Sequence, residues 1–373
     1  MLINGVFVPI LCITRPMHQR RFVFSQIIDF LPEREFRRIV AKYNDDYKTT
    51  ALSSWDHLLA LIFDLLTYRE SLRDLEDSLR PRRRQLYHLG FHGPVIRSTL
   101  ADANARRDCR IFEEFALLLI ARARKLYTAG PGKIEGVDAT VYAIDSTTID
   151  LCLALFPWAH FRARKGAIKV HTQLDLCGPL PVLVYVTNGK VNDVKWFGAL
   201  HFEAGCFYLV DRGYIDFAQF WRIHQAHAWF VTRAKSNLQF YRCHSRQPEG
   251  VIADQVIRLT GTKPKQSYPA PLRRIVYRDP ETNKLLVFLT NNFDLPALVI
   301  ALLYKARWNI ELFFKWTRMN MKIKTFHGRE PNAVKIQIWC ALAAHALLLI
   351  IKRQLGSNSS IHSILSVLSV SDF

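Results

Sequence analysis

The stretch YKARWNIELFFKWTR, from Tyr304 to Arg318, places one acid among several bases in an otherwise aromatic and aliphatic segment. Residues three, four and seven apart share one face of a helix. At that spacing, one apolar stripe predicts a face packed on the core, and its members are Trp308, Leu312, Trp316 and Met319. A neighbouring charged stripe consists of Tyr304, Arg307, Glu311, Lys315 and Arg318. The charged stripe is either a solvated face with intrahelical ion pairs or one side of a functional site.

The composition of the chain favours a polyanionic partner. The 373 residues include 51 Lys and Arg against 32 Asp and Glu, which gives a formal net charge of +19. Each phosphate that a basic side chain neutralises releases counterions, so nucleic acid is the first expected partner and an anionic membrane surface the second. Half of the residues are hydrophobic, which is enough for a sizeable core and for two domains, or for one domain with a large insertion.

The membrane alternative has little support in the sequence. The longest apolar run, residues 338–351, is interrupted by His345 and is shorter than the ~20 residues that cross a bilayer, so it predicts a buried helix. The first residues, MLINGVFVPILCI, lack the basic segment of a signal peptide, and Met17 is an alternative start. The seven cysteines form no CxxC pair, which argues against a disulfide framework or a zinc site and favours a reducing cytoplasm.

The chain divides into three segments by its residue pattern. Residues 1–21 are an amino-terminal extension without periodicity. Residues 22–130 have apolar residues at helical spacing and a capping signal at Ser71 and Asp74, which predicts an all-α domain that ends at AGPG, residues 129–132. In residues 131–373, β-branched and aromatic runs precede further helices, which predicts an α/β domain with a β-rich insertion at about 228–290.

Two acids lie at the ends of predicted strands. Asp145 ends the run VYAID, and Asp211 ends FYLVD before a glycine turn. Catalytic groups often occupy the carboxyl end of a strand in an open α/β sheet, although either Asp alone could simply cap the following turn. If Glu311 joins them, three carboxylates would need cations beside them, and oxygen ligands suit Mg²⁺ or Mn²⁺. A pair of such ions ~4 Å apart would activate a water or a 3′-hydroxyl in phosphodiester chemistry.

These residues together resemble the DDE transposases of bacterial insertion sequences, in particular the IS-four family with its signature Y-x2-R-x3-E-x6-K. Tyr304, Arg307 and Glu311 match that spacing, and VDRGY and ELFFKW are also typical of the family. The segments SLRDLEDSLR and RSTLADANARR resemble its amino-terminal domain, so the resemblance covers about residues 22–353. One position departs from the signature, because Arg318 stands where the family has Lys and brings a planar fork instead of a point charge.

The resemblance implies an RNase H-like catalytic core with two divalent ions, Mg²⁺ or Mn²⁺, preceded by the all-α DNA-binding domain. Asp145, Asp211 and Glu311 would be the catalytic residues and the metal ligands. The remaining charged-stripe residues would hold phosphates: Tyr304, Arg307, Lys315 and Arg318. The implied protein binds the terminal inverted repeats of its element, cleaves the ends and joins the 3′-hydroxyls to target DNA. It would work in the bacterial cytoplasm at the nucleoid, as a homodimer on paired ends.

Further basic residues are candidates for DNA contacts, each with a structural alternative. Arg233 occupies a position where the family has a DNA-contacting base, or it is a surface residue. Arg97, Arg106 and Arg107 flank either a helix that reads the major groove or a merely basic surface helix. The run RARKGAIKVH lines the DNA path or forms a solvated loop, and its polar members are Arg162, Arg164, Lys165, Lys169 and His171. The pair Asn192–Asp193 suggests a metal ligand, but a turn is the favoured interpretation.

Two rival functions use the same residues differently. A nuclease or resolvase of the same fold would cut DNA without joining it. A domesticated DNA-binding regulator would keep the catalytic core only as a scaffold. The intact set of Asp145, Asp211 and Glu311 argues against the regulator, and terminal inverted repeats beside the gene would favour the transposase.

Overall fold

The computed structural model describes residues 22–47, 49, 51–128, 134–162, 165–178, 180–191, 193–320, 326–357, 359–361, 363–364 and 366. Within those bounds the chain forms two compact units, one from the residues up to Leu126 together with those from Trp316 on, and one from Tyr127–Lys315. Some features predicted above lie outside the described residues: Met17, the break at 129–132, Arg164, Asn192 and the side chains of Arg162 and Lys165.

The first unit is helical, as predicted for the amino-terminal segment. It contains α1 (Val23–Ile28), α2 (Glu33–Tyr43), α3 (Ser54–Thr67), α4 (Leu72–Leu79), a 3-10 helix (Arg80–Leu89), α5 (Arg97–Arg106), most of α6 (Cys109–Thr128) and, later in the chain, α12 (Pro331–Gln354). The predicted cap at the start of α4 is confirmed, because Ser71 Oγ accepts the Asp74 N–H over 3.1 Å. Ser53 caps α3 in the same way through the Asp56 N–H.

Helix α12 is the core helix of the first unit. Its residues from Ile336 to Ile351 are all buried, and it packs against α3, which is buried along its whole length. Among the described residues, α12 alone is long and apolar enough to cross a bilayer, with a mean hydropathy of 2.0, but 89% of its apolar window is buried in protein. The prediction of a buried helix at residues 338–351 is therefore confirmed.

The grouping of α12 differs from the predicted domains. The sequence places residues 131–373 in one domain, whereas the residues from Trp316 on form a compact unit with the amino-terminal helices. A helix that is apolar on all sides needs neighbours on all sides. In this chain α3 and α5 are among the neighbours of α12.

The second unit, as far as its residues are described, is built on one mixed sheet of ten strands. They are β1 (Val141–Leu151), β2 (His160–Arg162), β3 (Lys165–Asp175), β4 (Leu180–Asn188), β5 (Phe207–Val210), β6 (Trp229–Arg233), β7 (Phe240–Arg246), β8 (Ala253–Leu259), β9 (Leu272–Arg278) and β10 (Leu285–Thr290). Their order is β2-β3-β1-β5-β6-β10-β9-β8-β7, and β4 also pairs with β3. The helices of this part are α7 (Asp193–Gly198), α8 (Phe217–Gln225), α9 (Thr262–Ser267), α10 (Ala297–Ala306) and α11 (Trp308–Asn320).

The strands β4, β3, β1, β5 and β6 form the RNase H-like core that the sequence predicts. The first three are antiparallel neighbours, and β5 and β6 then continue the sheet parallel to β1. The predicted insertion at 228–290 includes one core strand, because β6 pairs parallel with β5. The β-rich insertion itself consists of β7 to β10, and it extends the same sheet through antiparallel pairing of β10 with β6.

The stretch from Tyr304 to Arg318 forms two helices rather than one. The N–H groups of Arg307 and Ile310 bond to carbonyls only three residues back, which interrupts the regular helix between α10 and α11. The prediction of a buried apolar stripe is wrong for its first two members, since Trp308 is 58% exposed and Leu312 is 50% exposed. The buried side chains of α11 include Ile310, Phe313, Phe314 and Thr317.

Candidate active site

Three neighbouring parallel strands carry charged residues just past the last register pair that they share. Asp211 and Arg233 lie at the ends of β5 and β6, whereas β1 continues beyond Asp145 to Leu151, so the prediction that a strand ends at Asp145 is wrong. Ile144 of β1 is in register with Val210 of β5, and Val210 is in register with Thr232 of β6. The next residues along the three strands are therefore level with one another, and they are Asp145, Asp211 and Arg233. Adjacent strands lie ~4.8 Å apart, so this row brings two acids and one base together.

The alternation of side chains places this charged row on one face of the sheet. Ile144 and Val210 point into the core covered by α7 and α8, together with Phe230. The residues that follow Ile144 and Val210 point the opposite way, toward α10. Two contacts confirm this direction, since Tyr304 of α10 packs on Phe288 of β10 and its hydroxyl reaches Asp211 Oδ1 over 3.3 Å.

Arg307 links the charged row to the third acid. Its guanidinium donates to Asp145 Oδ2 over 3.2 Å and to Glu311 Oε1 over 2.7 Å. The same group lies over the Tyr304 ring, 5.5 Å from its centre, and the Arg307 side chain is only 11% exposed. One connected cluster of the second unit therefore contains the three predicted catalytic carboxylates. It also contains Tyr304 and Arg307, two of the residues predicted to hold phosphates.

Burial dominates the electrostatics of this cluster. Burial raises the pKa of Asp145 to about 6, although the Ser146 N–H and Arg307 both favour the ionised form, and Asp211 and Glu311 raise the pKa further. Burial also raises the pKa of Tyr304 to about 12, and the positive charges of Arg307 and Arg233 oppose that rise. For Arg307, burial lowers the pKa, but the surrounding Tyr304 and acids outweigh it, so the net shift is upward.

The donor chemistry of the cluster fits a divalent cation. Asp145, Asp211 and Glu311 offer only carboxylate oxygens, which Mg²⁺ and Mn²⁺ prefer. Burial, the largest cause of the raised pKa of Asp145, disfavours the ionised carboxylate, and a bound cation would stabilise that form. Among the described residues, no three His, Cys, Asp or Glu side chains converge on a single point. Two of the carboxylates instead share the Arg307 guanidinium, which supplies the positive charge between them.

A second polar network lies on the other face of the sheet, behind Asp145. Ser146 Oγ donates to Asp193, the first residue of α7, and Lys169 Nζ lies 3.2 Å from the other Asp193 oxygen. His171 Nδ1 is 3.5 Å from Asp193, and its ring stacks on Trp196. Burial lowers the pKa of His171 to about 4. Asp193 therefore accepts hydrogen bonds from the strand that carries Asp145, a role that the sequence analysis missed.

The same network bears on the segment predicted to line the DNA path. Lys169 and His171 of RARKGAIKVH lie on β3 and turn toward Asp193, and His171 is fully buried. A buried ring cannot contact a DNA strand. The prediction is therefore wrong for His171, and its neighbour Val170 is buried as well, so both faces of β3 are covered at this point.

The predicted DNA-binding residues of α5 differ in their exposure. Arg97 and Arg106 are exposed, as a DNA contact requires. The prediction for Arg107 is wrong, because its side chain is 8% exposed and pairs with Asp45 over 3.1 Å and Asp46 over 3.6 Å. Arg107 also donates to the Ser53 carbonyl over 2.9 Å, so it fixes the segment that precedes α3. In α11, Lys315 and Arg318 are both exposed.

Models of known protein families match two parts of the chain. A family model described as the transposase DDE domain matches residues 137–347. A second model, described as a domain of unknown function, matches residues 19–92.

Three relatives are named as transposases. The transposase y4zB of Sinorhizobium fredii is 37% identical over 68% of this chain and 71% of its own length. The transposase for insertion sequence element IS5377 of Geobacillus stearothermophilus is 30% identical over 55% of each chain. The transposase for insertion sequence element IS4SA of Synechocystis is 23% identical over 76% of this chain and 81% of its own.

Proposed function

Because the chain belongs to the DDE transposase family, we propose that it binds the terminal inverted repeats of its insertion sequence, cleaves the ends and joins their 3′-hydroxyls to target DNA. The family implies a metal-dependent enzyme that cuts DNA. The observation that supports the proposal most strongly is the cluster around Arg307, which reaches Asp145 on the sheet and Glu311 on α11. The surplus of 51 basic over 32 acidic residues suits a DNA substrate.

Asp145, Asp211 and Glu311 would hold two divalent ions, Mg²⁺ or Mn²⁺. When bound, such ions make a water or a 3′-hydroxyl nucleophilic and stabilise the leaving oxygen. The chain's own residues position these groups. The register of β1 and β5 sets Asp145 beside Asp211, and the Tyr304 hydroxyl orients the Asp211 carboxylate over 3.3 Å.

The basic residues would hold the DNA strand. Arg307 pairs with two carboxylates, and its guanidinium fork would suit a phosphate once cations neutralise those acids. Arg233 lies beside Asp211 at the edge of the sheet, where its charge would attract the backbone. Lys315 and Arg318 are exposed on α11 and would contact phosphates near the scissile bond. Charge placed in this way stabilises the transition state of in-line attack.

Finer assignments follow from the same residues. The spacing Tyr304-x2-Arg307-x3-Glu311 supports a place in the IS-four branch, with Arg318 in the position of the signature Lys. Residues 22–130 would form the domain that binds the ends, with the exposed Arg97 and Arg106 on its surface. Cleavage of paired ends would involve two copies of the chain, acting in the cytoplasm at the bacterial nucleoid.

The test uses the full-length protein and a plasmid that carries the element with its own ends. With Mg²⁺ we expect cleavage at both ends and joined products in a target plasmid, and with chelator neither. The Asp145→Asn variant should bind the ends and cut nothing. Cutting without any joined product would indicate a nuclease instead, and the absence of both reactions in the wild-type protein under these conditions would overturn the proposal.

A further inference from the structure

The 3-10 helix Arg80–Leu89 has an unusual charge for a structured segment. Its sequence RPRRRQLYHL contains four arginines and no acid. The segment lies in the amino-terminal part of the first unit, between α4 and α5. None of the phosphate contacts proposed above involves it.

Buried apolar side chains anchor this helix to the core of the first unit. Leu79 precedes it, and Leu86 and Leu89 belong to it, and all three side chains are at most 4% exposed. Gly90 ends the helix with a φ of +85°, a conformation that glycine adopts without strain, and Ile28 lies directly against it. The backbone of the segment is therefore anchored, and its polar side chains are not needed to hold it.

The 3-10 geometry separates anchoring residues from available ones. With three residues per turn, residues three apart lie on the same edge. Leu86 and Leu89 mark the buried edge, and the two earlier residues on that edge, Arg80 and Arg83, are exposed. The two remaining edges consist of Pro81, Arg84 and Tyr87 and of Arg82, Gln85 and His88. All six of these residues are exposed except Arg82, which is half-buried.

The charges on this helix are unpaired. In the part of the chain that the structure describes, Arg80, Arg82, Arg83 and Arg84 have no ion pair or side-chain hydrogen bond. Other arginines of the same unit do have such partners, for example Arg107 with Asp45 and Arg122 with Glu35. Beside them the Tyr87 ring is 81% exposed. Unpaired guanidinium groups attract a polyanion, and because the backbone that carries them is already anchored, binding does not have to order that backbone.

We propose that the 3-10 helix Arg80–Leu89 binds the phosphate backbone of duplex DNA, as a contact separate from α5. The proposal rests on the proposed function, which supplies DNA as the partner. Arginine forks match phosphate oxygens, and the neighbouring Gln85, Tyr87 and His88 add hydrogen-bond donors of the kind that contact a DNA backbone. An anionic lipid surface fits less well, because Tyr87 is the single exposed large apolar side chain of this helix.

The experiment measures binding of the full-length protein to a random-sequence 40-base-pair duplex between 50 and 200 mM salt. Each lost phosphate contact reduces the slope of log K against log salt concentration by about 0.9. The double variant Arg83→Ala/Arg84→Ala should therefore bind more weakly, with a slope smaller by about 1.8. The matched control is Arg34→Ala/Arg38→Ala, which removes two exposed arginines from α2 of the same unit and should leave the slope nearly unchanged.

A charge-preserving variant separates binding from folding. Arg83→Lys/Arg84→Lys should keep most of the salt slope, and circular dichroism should show equal helix content in all variants. A wild-type slope in Arg83→Ala/Arg84→Ala, or the same loss in the α2 control, would overturn the inference and leave the proposed function intact. Binding of wild-type protein to phosphatidylserine vesicles but not to the duplex would overturn both.

Discussion

The guanidinium of Arg307 lies 3.2 Å from the carboxylate of Asp145, although 162 residues separate the two along the chain. The contact joins the middle of strand β1 to the junction between α10 and α11. It places a fixed positive charge beside a carboxyl group whose pKa burial raises to about 6.

Removal of any one of the three acids should abolish chemistry and spare binding. Asp145→Asn, Asp211→Asn and Glu311→Gln each delete one charge at nearly constant volume, so end cleavage and joining should be lost while affinity for the terminal repeat changes little. Gel-based cleavage and mobility-shift assays measure the two properties. Near-normal cleavage by one of the three variants would show that this residue is misassigned.

Arg307 should lower the pH above which the site binds metal ions. Asp145 binds a cation only when ionised, so Mn²⁺ affinity should rise as pH increases through about 6. Arg307 favours the ionised form, so Arg307→Gln should move the midpoint of this rise to higher pH. Calorimetric titration with Mn²⁺ between pH 5 and 8 measures it, and Arg212→Gln, an exposed arginine beside Asp211, is the control. An unchanged midpoint in Arg307→Gln would refute the coupling.

Arg318 should assist catalysis through its charge. Arg318→Ala should slow cleavage by at least ~10-fold, about 1.4 kcal/mol of barrier, with a much smaller loss in end binding. Arg318→Lys should restore most of the rate, because the family signature has Lys there and a point charge suffices. If Arg318→Lys is as slow as Arg318→Ala, a bidentate phosphate contact is the better explanation. Normal cleavage by Arg318→Ala would place the residue on an ordinary solvated face.

Substitution of Arg107 should mainly lower stability, whereas substitution of Arg106 should mainly weaken DNA binding. Arg107→Ala removes the ion pair with the largely buried Asp45 and should lower the free energy of unfolding by about 3 kcal/mol. Arg106→Ala removes an exposed charge, so it should leave stability within about 0.5 kcal/mol and weaken binding to the terminal repeat. Urea unfolding and mobility-shift assays of both variants test this contrast. Equal unfolding midpoints for the two variants would contradict the structural role of Arg107.

Acid should destabilise the first unit through His57. Burial lowers the pKa of His57 from 6.5 to about 3, and the charge of Arg107 lowers it further, while the hydrogen bond to Asn104 opposes the shift. Because the folded pKa lies below the unfolded value, this contribution to stability is full above pH 6.5 and is lost as pH falls toward 3. It should amount to about 2 kcal/mol between pH 7 and 5. Urea unfolding at both pH values measures this loss of unfolding free energy. The loss should be missing in His57→Leu and should remain in His244→Gln, a control at an exposed histidine.

The sequence determined the features that depend on local pattern. Apolar runs that lead up to Asp145 and Asp211 are visible in the sequence, and parallel pairing of those runs places the two acids side by side. The continuation of β1 past Asp145 to Leu151 is not visible in that pattern. The helical texture of residues 22–128 and the burial of α12 also follow from periodicity and apolar content, because an apolar face has to be covered. The spacing from Tyr304 to Glu311, together with the two aspartates, resembles that of the DDE transposases.

The tertiary structure decided which charges face solvent and which are paired. Arg106 and Arg107 are adjacent and chemically identical in the sequence, yet one is exposed and the other is fixed by Asp45 from a distant loop. Which side chains of α11 are buried was also not predictable from spacing alone. Two short-range hydrogen bonds at Arg307 interrupt the helix, and Trp308 is exposed. Periodicity fixes the spacing of side chains along one element. The partner of a charge and the direction of a face depend on segments far away in the chain, and those meet only when the chain folds.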